Sequence, residues 1–161
     1  MSDQPPALSG QPSAGPAGFE LGTDGPTAIL VGFDGSDSSW RALHYAIGLA
    51  RRQASRVVAV YVSHTPAIAY AAPAVPAIAG LRCGFPPDLA SAVEALGREH
   101  SVGVTLVAAS GDPVSAITAA AADHRVDLIV VGASTKAGHR VFGSTALRAV
   151  RARCCPVTVV P

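Results

Sequence analysis

Five short apolar runs recur along this chain: Thr27–Phe33, Arg56–Val62, Val102–Ala108, Leu128–Val131 and Pro156–Val160. They are dominated by valine, leucine, isoleucine and alanine with little polar alternation, the pattern of strands buried on both faces. Between them the spacing becomes helical. In Asp37–Ala54, Trp40, Leu43, Ile47 and Ala50 share one stripe while Arg41, Arg51 and Arg52 fall outside it. Asp88–His100 aligns Leu89, Val93 and Leu96. A third helix runs from Pro113 to about Arg125 behind an Asp112 N-cap and is expected to bury Val114, Ile117 and Ala121. A fourth, Ser144–Arg153, is expected to bury Leu147, Val150 and Cys154. Strand and helix in alternation predict an α/β fold, an open five-stranded parallel sheet with helices on both faces.

The chain has 161 residues, room for one domain with a sizeable core. Hydrophobic residues outnumber charged ones, 49% against 14%, so both sheet faces must be covered or meet a partner. Residues 1–26 are rich in Pro, Gly, Ser and Ala and read as a disordered arm before a domain at 27–161. Within that domain, Ser63–Pro86 is a variable Ala/Pro-rich loop without a clean period, suited to a lid, an interaction segment or disorder.

No apolar run approaches a membrane span, and the N-terminus lacks the layout of a secretory signal; a cytoplasmic protein with no membrane partner is expected. A net charge of +1 gives no reason to expect nucleic acid. Lys136, Arg140, Arg148, Arg151 and Arg153 crowd into the last quarter, as either a solvated helix face or an anion site. Cys83, Cys154 and Cys155 have no metal-ligand spacing against the histidines. The adjacent pair Cys154-Cys155 suits an oxidant sensor, but its place at a helix end and a strand start favours two small core fillers.

The chemistry concentrates in Asp127–Thr145, DLIVVGASTKAGHRVFGST. A buried strand breaks at Gly132, and Gly143-Ser144-Thr145 stands in front of a helix. Strand, glycine turn and helix N-terminus form the usual geometry for a phosphate, because backbone N–H groups and the helix dipole favour an anion there. Asp34, Val62 and Gly132 all fall at carboxyl ends of predicted strands, where open parallel sheets bind ligands. Each also has a plain structural reading: Asp34 ties a turn, Val62 is core, and Ser144 is a helix cap. No Walker A, dinucleotide fingerprint, nucleophile elbow or metalloprotease motif is present. The third strand ends in Ala108-Ala109-Ser110, without the aspartate of a phosphoacceptor domain.

The segments ILVGFDGSDSSWRALHYAIGLA, GDPVSAI, DLIVVGAS and FGSTALRAVRARCCPVTVVP, in that order, resemble the universal stress protein family. The resemblance spans about residues 27–161 and implies a Rossmann-like sheet, a homodimer joined through the last strand and, in one branch, an ATP site. Carried over by position, Asp34 would contact the ribose and Val62 would line the adenine pocket. Gly132, Gly143, Ser144 and Thr145 would hold the phosphates, with Mg2+ entering only with the nucleotide. The family's phosphate loop reads Gly-x2-Gly-x9-Gly-Ser/Thr; here Thr135 takes the second glycine position and only seven residues separate it from Gly143. Gly138 would restore the flexibility, with Lys136, His139 and Arg140 adding positive charge. The alternative is a dimeric interaction or regulatory module, for an unidentified protein partner, that has lost the nucleotide. No general base is apparent, so no enzyme is expected.

Overall fold

Strand and helix alternate as the sequence predicts in a computed structural model that describes residues 25–63, 84–133 and 144–161. The predicted N-terminal arm (to residue 24), most of the Ala/Pro-rich loop, and Gly138 and Gly143 lie outside these residues. The elements are β1 (Ala28–Phe33), α1 (Asp37–Gln53), β2 (Arg56–Ser63), α2 (Pro87–Glu99), β3 (Val104–Ser110), α3 (Pro113–Asp123), β4 (Leu128–Gly132), α4 (Ser144–Ala152) and β5 (Val157–Val160). All strand pairs are parallel, in the order β3-β2-β1-β4-β5. The chain therefore moves one way from β1 through β2 to β3, then returns across the sheet to β4 and on to β5. Strand order reverses between β1 and β4. Among the described residues, no helix is long and apolar enough to cross a membrane.

Successive side chains of a strand point to opposite faces, and the core divides accordingly. Ile29, Val31 and Phe33 of β1 join Val57 and Ala59 of β2 and Val130 of β4 under α1 and α2. Ala28 and Leu30 join Val58, Val60, Val62, Ile129 and Val131 under α3 and α4. Ile29, Leu30, Val57, Val58, Val60, Ile129 and Val130 are fully buried, each contributing about 1.5–3 kcal/mol. Helices α1 and α3 bury the expected faces: Leu43, Ile47 and Ala50 on one, Val114, Ile117 and Ala121 on the other.

Helix α4 differs from expectation. It buries Ala146 and Ala149, whereas Leu147 is 44% exposed, Val150 is 51% exposed and Cys154 lies at the surface. Alanines let this short helix lie close against the sheet and α3. The larger apolar residues are turned away from the core. Cys155 alone of the pair packs on the core, and only partly.

The amino edge of the sheet is pinned by Asp127. One carboxylate oxygen accepts from the Thr27 N–H at 2.8 Å, the Thr27 hydroxyl at 2.6 Å and the Ala28 N–H at 3.1 Å, linking the entrances of β1 and β4. Burial raises this carboxyl, but the Thr27 and Ala28 hydrogen bonds and the Arg56 charge outweigh it and hold the group below the usual aspartate range. A carboxyl depressed in the folded state stabilises above its unfolded value, near 3.9, and loses that contribution as pH falls through the folded one. Asp127→Ala is therefore expected to cost about 1 kcal/mol at neutral pH, discounted for partial exposure. The gap between the two proteins in urea titrations should begin to close below about pH 4 and narrow further as pH falls. A gap that stays constant into strong acid would show that the charge is not involved.

Candidate functional site

The reversal of strand order brings the carboxyl ends of β2, β1 and β4 side by side. Phe33 pairs with Tyr61 in the β1–β2 register, so Asp34 continues the row opposite Val62. Val31 pairs with Val130 across β1–β4, so Gly132 falls opposite Phe33. Three sequence-predicted positions thus share one edge, although they are 70 and 98 residues apart at the extremes (132 − 62 and 132 − 34).

Asp34 is exposed at the start of the turn that carries β1 into α1. Its Oδ1 accepts from the Ser36 N–H at 2.9 Å and from the Ser36 hydroxyl at 2.5 Å. Gly35 supplies the left-handed backbone at φ +80 that swings the chain round. Ser36 then caps α1, its oxygen accepting from the Ser39 N–H at 3.3 Å and lying 3.1 Å from the Ser38 hydroxyl. The positive end of the α1 dipole accordingly faces the carboxyl edge of the sheet, lined by serine hydroxyls.

Gly132 meets this helix. A Cβ built on it would overlap the Ser38 backbone and lie 2.9 Å from the Ser38 Cβ. The missing side chain is therefore what allows the end of β4 to touch the first turn of α1. The next residue, Ala133, donates its N–H to the Val160 carbonyl at 2.7 Å and keeps the chain on the sheet. Ser38 was not singled out in the sequence, because nothing local marks a serine whose role is to abut a glycine far along the chain.

Val62 is 8% exposed and belongs to the core on the α3–α4 face. Across the sheet an aromatic cluster closes the same end. Phe33 meets Trp40 edge-on at 4.9 Å and stacks on Phe85 at 5.9 Å, and Tyr61 lies 5.4 Å from Phe85. Trp40 is half-buried on the rim of the core rather than inside it. Ser144 opens α4 and Thr145 follows half-buried in its first turn. Gly138, Gly143 and the basic Lys136, His139 and Arg140 lie outside the described residues.

A model of the universal stress protein family matches residues 27–161. The chain belongs to that family. A universal stress protein of Methanocaldococcus jannaschii is 30% identical over 136 residues, covering 82% of this chain and 80% of its own. Among solved structures, the universal stress protein UspA of Lactobacillus plantarum is 27% identical with a TM-score of 0.59, over 84% of this chain and 97% of that one. A universal stress protein solved in complex with cAMP is 25% identical with a TM-score of 0.60, over the same shares of 84% and 97%. The expected family and the expected open parallel α/β fold are both found.

In this universal stress protein the basic residues of α4 divide. Arg148 grips Asp112, the N-cap of α3, through two hydrogen bonds of 2.7 and 2.9 Å. Asp112 also accepts from the Ser115 N–H and hydroxyl, both at 2.9 Å. The Arg148 guanidinium first, then Ser115, holds the carboxyl far below the ordinary range, and Asp112 raises Arg148 in turn. Arg148 is thus a strut between α3 and α4, while Arg151 and Arg153 are solvated. Among the described residues, no group of three or more His, Cys, Asp or Glu is assembled for a metal ion.

Two outcomes test these contacts. Gly132→Ala should lower stability by about 1–3 kcal/mol, the range for forcing atoms into packed space, read from urea unfolding; an unchanged midpoint would mean that Ser38 yields freely. Arg148→Ala should return the Asp112 carboxyl toward the ordinary aspartate value near 3.9, followed by NMR titration of its carboxyl carbon. An unmoved titration would assign the depression to Ser115.

Proposed function

We propose that this chain is a cytoplasmic stress-response module that binds ATP or a related adenine nucleotide at the carboxyl ends of β2, β1 and β4. Asp34 holds the ribose and Val62 forms a wall for the base. Gly132, Gly138, Gly143, Ser144 and Thr145 surround the phosphates through backbone N–H groups and hydroxyls, and any Mg2+ arrives with the nucleotide. The reading is one of binding without turnover. The observation that carries it is that Asp34 and Gly132 share one sheet edge at the point where strand order reverses, with Gly132 against the first turn of α1. The described residues fit the sugar side of such a ligand, with an exposed carboxylate at the end of β1. The cAMP complex of a relative supports an adenine nucleotide as the ligand class.

One observation favours a second reading, a dimeric interaction module indifferent to nucleotide. Leu147 and Val150 stand exposed on α4, the helix that packs on the edge strand β5, the strand expected to join two copies. Calorimetry separates the two. The first reading expects saturable heat with ATP, abolished in Gly143→Asp. It expects binding weakened about ten- to hundredfold in Asp34→Ala, since hydrogen bonds to charged groups are worth roughly 1.5–3 kcal/mol. No heat at millimolar ATP, with a dimer by light scattering that a charge at Thr158 disrupts, would select the second.

A further inference from the structure

Cys154 and Cys155 lie between the end of α4 at Ala152 and the start of β5 at Val157. The chain turns there through a left-handed Arg153, at φ 55. Their sulfur atoms are 3.9 Å apart, with Cys154 at the surface and Cys155 half-buried against the core beneath α3 and α4. The pair sits at the amino ends of β4 and β5, the sheet edge opposite Asp34 and Gly132. It belongs to neither reading of the nucleotide site.

We infer that Cys154 and Cys155 form a reversible two-electron oxidation site, in which a hydroperoxide converts the adjacent thiols to a disulfide within one chain. The two sulfurs are placed for unequal roles. Cys154 is the one a solute can reach. Burial, followed by the neighbouring Cys154, pushes the Cys155 thiol up to about 12, so it stays protonated and is not the first to attack the peroxide.

In the first step the Cys154 sulfur attacks the O–O bond of the peroxide. It becomes a sulfenic acid, and the alcohol or water of the peroxide departs. In the second, the Cys155 sulfur attacks the Cys154 sulfur and the S–S bond forms. The hydroxyl leaves as water, taking the Cys155 proton. Two electrons have passed from the two thiols to the peroxide. Oxidising Cys154 also removes the thiol neighbour that helped to raise Cys155.

Adjacency decides what kind of disulfide results. Consecutive Cα atoms across a trans peptide are about 3.8 Å apart, shorter than the usual disulfide range of about 4.4–6.8 Å. The ring is strained and readily reduced, which suits a reversible mark and not a permanent cross-link. Its closure twists the peptide next to Pro156, whose carbonyl accepts from the Ile129 N–H at 2.9 Å. That hydrogen bond opens the pairing of β4 with β5, so the oxidised pair would sit at the entrance of the edge strand.

The chain provides its own readout. Trypsin cleaves after Arg153 and releases Cys154–Pro161, a peptide holding both residues and separate from Cys83. In the full-length reduced protein this peptide should take two alkyl groups from iodoacetamide. After hydrogen peroxide it should lose two hydrogens in mass and take none until dithiothreitol restores both. Cys155→Ser should stop at a sulfenic acid on Cys154, trapped by dimedone, and Cys154→Ser should leave the peptide unoxidised at the same dose. Continued double alkylation of the treated wild-type peptide would overturn the proposal. So would linkage to the Cys83 peptide, or over-oxidation of Cys154 while Cys155 still alkylates.

Discussion

Strand β1 is buried against two helical layers at once, with Ile29, Val31 and Phe33 under one and Ala28 and Leu30 under the other. A strand in that position has no face left for water, and it lies at the middle of the sheet with a neighbour on each side. The neighbours are β2, reached through α1, and β4, reached only after the chain has returned from β3. Because parallel crossovers are right-handed, helices reach both faces of the sheet only when the chain reverses its direction across it, as it does between β1 and β4. Among the described residues, the reversal puts the carboxyl ends of β1 and β4 side by side, with their following connections on opposite faces, the usual place for a ligand in such a sheet.

The candidate site inherits its geometry from that reversal. Asp34 begins the turn out of β1, and the turn aims α1 so that its N-terminus abuts Gly132. The glycine has a structural duty and a site duty together: its bare backbone admits the Ser38 turn, and its place on the edge puts it beside the helix N-terminus. The two are compatible because a phosphate cradle and a close-packed strand–helix junction both need backbone where a side chain would stand. The opposite edge carries different chemistry, with Asp127 tying two strand entrances and a thiol pair standing where β5 begins. A ligand and an oxidant would therefore act on the same sheet from its two ends.

Much of this fold was legible in the residues. The apolar runs placed all five strands, within two residues at their starts, and Asp112-Pro113 marked the opening of α3. Asp34 and Gly132 could be nominated because a strand end is visible locally. Helix α4 departs from its apolar periodicity for a physical reason. Its spacing marks Leu147 and Val150 as one apolar stripe, and periodicity alone cannot say whether such a stripe meets the core or remains for another surface. The paired small residues Ala146 and Ala149 were the better guide, since a short helix packed near an edge strand gains most from close approach.

The sequence by itself determined the alternation of elements, the apolar character of the sheet and the family, because each is written in local composition and order. Only the tertiary structure decided which groups meet. Ser38 against Gly132, Arg148 on Asp112 and Thr27 on Asp127 join residues far apart in the chain, and no local pattern encodes such pairs. They exist because the crossing connections of a parallel sheet bring distant strand ends to one edge. Once there, hydrogen bonds and close packing act only over a few ångströms.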